Sequence, residues 1–297
     1  MATLPDAEGF PVKVLVTGAS GFIGRHAVSA LIKRGHTVIA TSRSAESARK
    51  FQWFDEVRFV PYDVYADPGG MPSCFGNVDA LIHLAWQGLP NYQAPFHYEK
   101  NLFHDYRFLK SIVEQGVKHL LVTGSSSEYG MQYGCLNEDM LTQPVHCYGL
   151  AKDTLRKFLQ KVQSQHPFLL QWIRPFYLYG PGQNPNSMLV QLDKAIDLGA
   201  PVFNMSGGEQ LRDFLAVEEL ARRLVIILEH PELVGIINCC SGKPISLRRL
   251  AENRIAERNA RIELNLGYYP YPDYEPMAFW GSSQKFFSIH ESGYNEH

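Results

Sequence analysis

The feature that most constrains this chain is a corner near its start. An apolar run, Val14-Leu15-Val16, leads into Thr17-Gly18-Ala19-Ser20-Gly21-Phe22-Ile23-Gly24. Glycines at three-residue spacing let the backbone turn tightly from a strand straight into a helix. From Phe22 to Arg34 the apolar Phe22, Ile23, Ala27, Ala30 and Leu31 fall on one side, and Gly35 stops the helix. Small residues also let the backbone approach a ligand, and the helix N-terminus faces its negative charge. A strand, a glycine corner and a helix in that order hold a dinucleotide pyrophosphate.

The rest of the first half continues the alternation. Strands are predicted at Val12–Thr17, Thr37–Ala40, Val57–Val60, Val78–Leu84, His119–Thr123 and Phe168–Ile173. Helices are predicted at Tyr98–Gln115, ending at Gly116, and at Tyr148–Gln165. This spacing predicts an α/β fold: a doubly wound parallel sheet of Rossmann type with helices on both faces. Ligands then bind at the carboxyl ends of the strands. After Arg174 the pattern changes. Tyr177–Asn186 reads as loop, followed by helices at Ser187–Leu198, Val217–Glu229 and Ser246–Glu257 and a strand near Ile236–Cys239. The tail Gly267–Glu275 carries four Tyr and two Pro, too many breakers for a helix. The expected organisation is a dinucleotide-binding domain over 1–175 and a smaller C-terminal substrate lobe over 176–297. Segments near 210–240 are expected to return to the first domain.

Composition narrows the function. A chain of 297 residues with 45% hydrophobic and 20% charged residues can bury a sizeable core. A net charge of -2 makes no case for nucleic acid or a membrane surface. The five cysteines, Cys74, Cys135, Cys147, Cys239 and Cys240, form no C-x-x-C, so neither a disulfide framework nor a zinc site is expected. Cys239 and Cys240, adjacent on a strand, are expected to point to opposite faces. The eleven histidines show no metal spacing, and His83 on its apolar strand reads as a packed core residue. Met1–Pro11 lacks a basic start and an apolar run, and no segment is long enough to span a bilayer. A reducing cytoplasm is the expected compartment.

A second motif supplies chemistry. In Tyr148-Gly149-Leu150-Ala151-Lys152 a phenol and an ammonium sit four residues apart, on one helical face. A tyrosine titrates near about 10 on its own. A neighbouring ammonium favours the phenolate and is expected to lower that value. Such a phenol can exchange a proton with a carbonyl or alcohol oxygen. A serine hydroxyl, Ser125 in the first instance, can hold the same oxygen. Together the two motifs point to a bound nicotinamide with a proton donor beside it.

Further elements follow the same order: Tyr62-Asp63-Val64, His83-Leu84-Ala85 and Val122-Thr123-Gly124-Ser125-Ser126-Ser127-Glu128-Tyr129-Gly130. Later come Arg174-Pro175-Phe176, Tyr179-Gly180-Pro181-Gly182 and Gln210-Leu211-Arg212-Asp213-Phe214. From about Lys13 to Leu250 the chain resembles the extended short-chain dehydrogenase/reductase family, the nucleotide-sugar epimerases, dehydratases and reductases. The resemblance implies Ser125, Tyr148 and Lys152 as catalytic residues, with Ser126 and Ser127 close rivals of Ser125. It implies a cofactor site of Gly18, Ser20, Gly21, Phe22, Ile23, Gly24, Ser42, Arg43, Asp63, Val64, Leu84, Ala85, Trp86, Thr123, Tyr148, Lys152 and Pro175. Within it Asp63 would bond the adenine amine, and Leu84-Ala85-Trp86 would line the dinucleotide. Ser126, Glu128, Tyr177 and Arg212 are the implied substrate-binding residues, Arg212 at the nucleotide diphosphate. The alternative for Arg212 is an ion pair with Asp213 or Glu218. The tail residues Tyr268, Tyr269, Tyr271, Tyr274 and Trp280 are expected mostly in core packing, with stacking on a nucleobase or sugar as the alternative. A homodimer through the helices at Tyr98–Gln115 and Tyr148–Gln165 is also implied.

Cofactor choice turns on the end of the second strand. NAD sites place an acidic residue there for the ribose hydroxyls. Here stand Thr41-Ser42-Arg43, with no acidic residue between Gly24 and Glu46. An arginine and hydroxyls suit a 2′-phosphate, so NADP(H) is expected and NAD is the lesser choice. Family dehydratases follow the catalytic Ser/Thr with Asp-Glu. This chain has Ser126-Ser127, with Glu128 displaced by one, so dehydration is disfavoured. UDP-sugar relatives often carry Asn where Tyr177 stands. The expected reaction is NADPH-dependent reduction of the C4 ketone of a 4-keto-6-deoxy sugar nucleotide, with no metal. The alternatives are a nucleotide-sugar 4-epimerase that retains NAD and, from another class, a non-catalytic NADP-sensing protein.

Overall fold

Short apolar runs bounded by turn residues become strands, and the longer runs with helical period become the helices between them. The computed structural model describes residues 11–66 and 73–291; the leader reading of residues 1–10 lies outside them. In chain order the first half comprises β1 (Lys13–Thr17), α1 (Gly24–Lys33), β2 (Thr37–Ser42), α2 (Ala45–Arg49), β3 (Arg58–Pro61), β4 (Ala80–His83), α3 (Leu102–Glu114), β5 (His119–Thr123), β6 (Gly134–Leu136), α4 (Cys147–Gln163) and β7 (Leu169–Pro175). The second half comprises β8 (Tyr177–Tyr179), α5 (Met188–Asp197), β9 (Val202–Asn204), β10 (Leu211–Ala216), α6 (Val217–Glu229), β11 (Gly235–Cys239), β12 (Pro244–Ser246), α7 (Leu247–Glu257), β13 (Glu263–Asn265), β14 (Phe279–Gly281) and α8 (Gln284–Glu291).

Seven strands form one parallel sheet in the order β11-β7-β5-β4-β1-β2-β3. The order reverses between β1 and β4, so a ligand crevice opens at their carboxyl ends. This is the doubly wound sheet expected from the sequence. Strand alternation divides the core in two. Val14 and Val16 of β1 and Val38 and Ala40 of β2 pack with Ala27 and Leu31 of α1 and Leu220 and Leu224 of α6. Leu15 and Ile39 face the other way, toward Leu109 of α3 and Leu155 and Leu159 of α4. Cys239 and Cys240 likewise enter different clusters.

The segment after β7 contributes to both parts. β11 pairs in parallel with β7 on the main sheet, and α6 packs against α1. The remainder builds smaller sheets, β12-β10-β8, β13-β9 and β14-β6, with α5 against α7 over Leu192, Met205 and Ala251. Three details differ from the sequence reading. Tyr177–Tyr179 is not loop, because β10 offers it a parallel partner, Phe214 opposite Tyr177. The helix expected from Tyr98 opens as a π-turn over His97–Asn101, wide enough to seat the buried His97 and Asn101. Four tail tyrosines, expected mostly in the core, are exposed: Tyr268, Tyr269, Tyr271 and Tyr274. Their segment runs along the edge of the lobe, and Tyr271 donates to Glu209 Oε2 at 2.9 Å.

Candidate active site

The glycine corner is closed by contact with the next strand in space. Gly18 has φ +66°, and a Cβ there would stand 2.8 Å from the Ala85 amide nitrogen. A Cβ on Gly24 would stand 2.1 Å from the Gly18 carbonyl oxygen. Thr17 Oγ1 accepts from the amides of Leu84 (3.2 Å) and Ala85 (3.3 Å), clasping the ends of β1 and β4. With its oxygen so occupied, the Thr17 hydroxyl donates to His83 Nδ1 at 2.9 Å. His83 Nε2 then donates to Asp105 Oδ1 at 2.6 Å, and Tyr65 donates to Asp105 Oδ2 at 3.0 Å. His83 is thus a linker in a buried polar chain, more than an apolar filler.

This corner fits a dinucleotide. Helix α1 begins without a side-chain cap and without an acidic residue in its first turn. Its first N–H groups, with Ser20, Gly21, Phe22 and Ile23 around them, are left for an anion. At the end of β2 the Ser42 hydroxyl is buried and without a partner among the described residues. Arg43 beside it is exposed. Asp63 is half-buried and accepts from the Tyr65 amide at 3.0 Å, while Val64 is buried in the core.

Tyr148 and Lys152, the residues expected to be catalytic, lie on α4 beside the carboxyl end of β5. Tyr148 is 8% exposed and Lys152 is 1% exposed. Lys152 Nζ donates to the Thr123 carbonyl at 2.8 Å and lies 4.0 Å over the Trp86 ring. Burial pulls its value down to about 8, against the opposing pull of Asp105 and Glu128. Burial raises the Tyr148 phenol well above the ordinary range, with Tyr92 and Glu128 adding to the rise. A hydrogen bond with Ser125 pulls the other way. The sequence reading had Lys152 lowering the Tyr148 value. In the structure the direction is upward, because the phenol is enclosed while the ammonium is directed at Thr123.

Ser125 lies two residues past the end of β5 and caps a short turn over Ser126–Tyr129. Its hydroxyl donates to Ser127 Oγ at 3.0 Å and accepts from the Ser127 amide at 3.1 Å. Ser126 is half-buried on the same turn. Glu128, read as substrate-binding, is fully buried and belongs to the turn itself. It accepts from the Ser125 amide (2.8 Å), Trp172 Nε1 (2.9 Å) and Arg174 Nε (2.8 Å). These bonds tie the turn at Ser125 to Trp172 and Arg174 of β7, and Glu128 is enclosed rather than facing the cleft. Pro175 lies half-buried at the end of β7.

Sequence reasoning missed an aromatic enclosure around Tyr148. Trp86, Tyr92, His97 and His146 have ring centroids 5.7, 5.7, 5.4 and 6.1 Å from that of Tyr148. Trp86 Nε1 donates to His97 Nδ1 at 3.0 Å. The one available signal was positional: His146 stands two residues before Tyr148, at the helix cap.

Across the cleft Tyr177 donates to Glu275 Oε1 at 2.8 Å and accepts from Arg212 Nε at 3.2 Å. Arg212 Nη2 pairs with Glu275 Oε2 at 3.1 Å. Burial and Glu275 raise the Tyr177 phenol far above its usual range. Arg212, 2% exposed, is therefore an anchor for the tail in this structure, not an open fork for a diphosphate. Its partner is neither Asp213 nor Glu218. Asp213 instead accepts from the amides of Ser241, Gly242 and Gly281 at 2.7, 2.9 and 3.3 Å. Among the described residues no group of His, Cys, Asp and Glu is placed to hold a metal, and no helix is long and apolar enough to cross a membrane.

Known proteins resemble this chain in sequence and fold. A dTDP-6-deoxy-L-talose 4-dehydrogenase (NAD(+)) of Aggregatibacter actinomycetemcomitans is 35% identical over 273 residues, covering 91% of this chain and all of the relative. The solved structure of MoeE5 with UDP-glucuronic acid and NAD is 25% identical, with a TM-score of 0.77 over 93% of this chain and 92% of that one. A UDP-glucose-4-epimerase from Stenotrophomonas maltophila with bound NAD shares the fold at 20% identity, with a TM-score of 0.81 over 96% and 94% of the two chains. Residues 14–240 match the NAD dependent epimerase/dehydratase family. That span runs from the middle of β1 past the end of β11 and takes in the glycine corner, Ser125, Tyr148 and Lys152. The chain accordingly belongs to this family, the extended short-chain dehydrogenase/reductases, enzymes that work through a nicotinamide cofactor.

Proposed function

We propose that this protein interconverts the C4 ketone and the C4 hydroxyl of a 6-deoxyhexose nucleotide. The observation that carries this reading is the end-to-end likeness to a 4-dehydrogenase of such a sugar nucleotide, 35% identical over 273 residues. When bound, the nicotinamide supplies hydride to C4 in reduction and accepts it in oxidation. Tyr148 gives its proton to O4 in reduction and takes it back in oxidation. Its raised value keeps the phenol protonated at neutral pH, which suits the reductive direction. Ser125 holds O4 by hydrogen bond. Lys152, cationic below about 8, stays at the Thr123 carbonyl beside the phenol.

For the cofactor, the unpartnered Ser42 hydroxyl, the exposed Arg43 and the missing carboxylate at the end of β2 support NADP(H). The relative's NAD(+) is the competing choice. Arg43→Ala should weaken NADPH by about 1.5–3 kcal/mol, as for a charged hydrogen bond, and leave NADH almost unchanged. Titrations read by the shift in unfolding midpoint measure both. Equal weakening, or a wild-type preference for NADH, defeats the NADP(H) assignment.

The reaction is tested with limiting NADPH or NADH and a dTDP-4-keto-6-deoxyhexose, following absorbance. Consumption of one reduced cofactor per sugar supports the proposal. Interconversion of two C4 epimers with no net oxidation identifies an epimerase instead. A homodimer through α3 and α4 belongs to the same reading. Its support is the exposed Phe103 and Leu150, at 45% and 47%, on those two helices.

A further inference from the structure

We infer that His146 is a positioning residue for Tyr148: a neutral imidazole that caps α4 and makes the placement of the phenol depend on proton concentration. The inference rests on the reading of Tyr148 as proton donor, and it begins with helix geometry. A helix starts with N–H groups that have no partner within the helix. Ser, Thr, Asp and Asn usually accept one of them. Here the cap is His146, in extended conformation (φ -133°, ψ 161°), and its Nδ1 accepts from the Gly149 amide at 3.0 Å. A ring nitrogen that accepts carries no proton, so the ring is neutral and its hydrogen sits on Nε2.

The same ring touches the reacting side chain. It stacks on Tyr148, with centroids 6.1 Å apart and planes 15° apart, and lies 5.5 Å from the Tyr92 ring. The Tyr148 amide donates to the Tyr92 carbonyl at 3.0 Å, and Cys147 Sγ donates to the Gln93 carbonyl at 3.0 Å. The first turn of α4 is therefore held by two devices, the loop at Tyr92–Gln93 and the imidazole. Tyr148 lies within that turn.

Protonation would set an Nδ1–H against the Gly149 N–H and a positive charge at the positive end of the helix. The ring must then leave, taking its stacking on Tyr148 with it. The titratable groups that face it are Tyr148 on its own helix, Tyr92 from the loop, His97 from the π-turn and Glu275 from the tail. Glu275 favours the imidazolium, but burial opposes it more strongly and holds His146 below the usual histidine range. The cap is thus intact at neutral pH and fails on the acid side of about 6.5.

The experiment compares wild type, His146→Asn and His146→Ala from about pH 5 to pH 8. Turnover is measured with saturating cofactor, and unfolding midpoints are measured without substrate. An asparagine caps but does not titrate. His146→Ala should lose about twofold to thirtyfold in turnover at pH 7.5, the range set by one cap, with little change in cofactor KM. His146→Asn should restore that loss and flatten the acid limb of wild type. The midpoint of wild type should fall on acidification more steeply than that of His146→Asn. An unchanged acid limb in His146→Asn, or wild-type turnover in His146→Ala, overturns the inference. If no C4 substrate is turned over, the midpoints decide alone. Parallel wild-type and His146→Asn curves refute the cap, and diverging curves establish it independently of the reaction.

Discussion

At the scale of single residues, two buried groups have opposite duties. On the proposed reading Tyr148 moves a proton, and burial among Tyr92, His97 and Trp86 keeps the phenol protonated. Tyr148→Phe keeps the ring and its stacking but removes the proton. Turnover should fall at least about a hundredfold, within the range for general acid catalysis, with cofactor affinity little changed. Near-normal turnover in this variant would mean another group supplies the proton. Glu128 is buried and held by three donors. It neutralises Arg174 and ties Ser125 to Trp172 inside the protein. Glu128→Ala leaves a buried guanidinium without its carboxylate and should cost about 3–5 kcal/mol of stability. Denaturant midpoints measure it, and a change well under 1 kcal/mol would show that water replaces the carboxylate. Local motifs single out Tyr148, Lys152 and Ser125, and the structure brings them together: Ser125 within hydrogen-bonding reach of Tyr148, and Lys152 at the Thr123 carbonyl. It misplaced Glu128 because burial depends on Trp172 and Arg174, which lie far along the chain.

Among elements, the junction of β1 with α1 is the most tightly specified. Gly24 is not a matter of conformational freedom alone. A methyl group there meets the Gly18 carbonyl at 2.1 Å, and that backbone cannot yield without moving the corner. Gly24→Ala should weaken cofactor binding at least tenfold, about 1.4 kcal/mol, in a fluorescence titration. Helical content should stay near wild type, because α1 continues into Ala27, Val28 and Leu31 of the core. Unaltered binding would show that the corner relaxes. Legibility followed length. The strands of the main sheet and α6 could be read because each carries several apolar residues at one period. β6, β8, β9, β12, β13 and β14 have three residues apiece, too few to express a period. They exist because partners distant in sequence, such as Phe214 for Tyr177, pair with them. The clasp of Arg212 on Glu275 escaped notice for the same reason, since 63 residues separate the two.

The whole molecule integrates these buried groups into one dependence on pH. Burial lowers His97, His119 and His146 below the ordinary histidine value. The unfolded chain therefore takes up protons near about 6.5 that the folded chain still refuses. Where the unfolded state binds more protons, stability rises with pH. The histidine contribution is thus complete above about 6.5 and is lost on acidification below it. Lys152 acts with the same sign at higher pH. Its folded value of about 8 lies below the unfolded value near about 10.4, so stability climbs across that interval. Lys285, lowered by burial, adds to the climb. The phenols act in reverse. Burial raises Tyr65, Tyr92, Tyr148 and Tyr177, and raises Tyr129 to about 12. Above about 10 the unfolded tyrosines release protons that the folded ones keep, and stability falls as pH rises further. Burial also raises the Cys239 thiol to about 12 and lifts the Cys240 thiol, so above about 8.5 the unfolded thiols release protons that the folded ones keep, and the cofactor-free protein should be most stable near about pH 7 to 9, with losses on either side. Unfolding midpoints from about pH 5 to 10.5 test this. A maximum below pH 6, or a flat profile from 5 to 8, would show that the two halves of the molecule do not hold these side chains buried in solution.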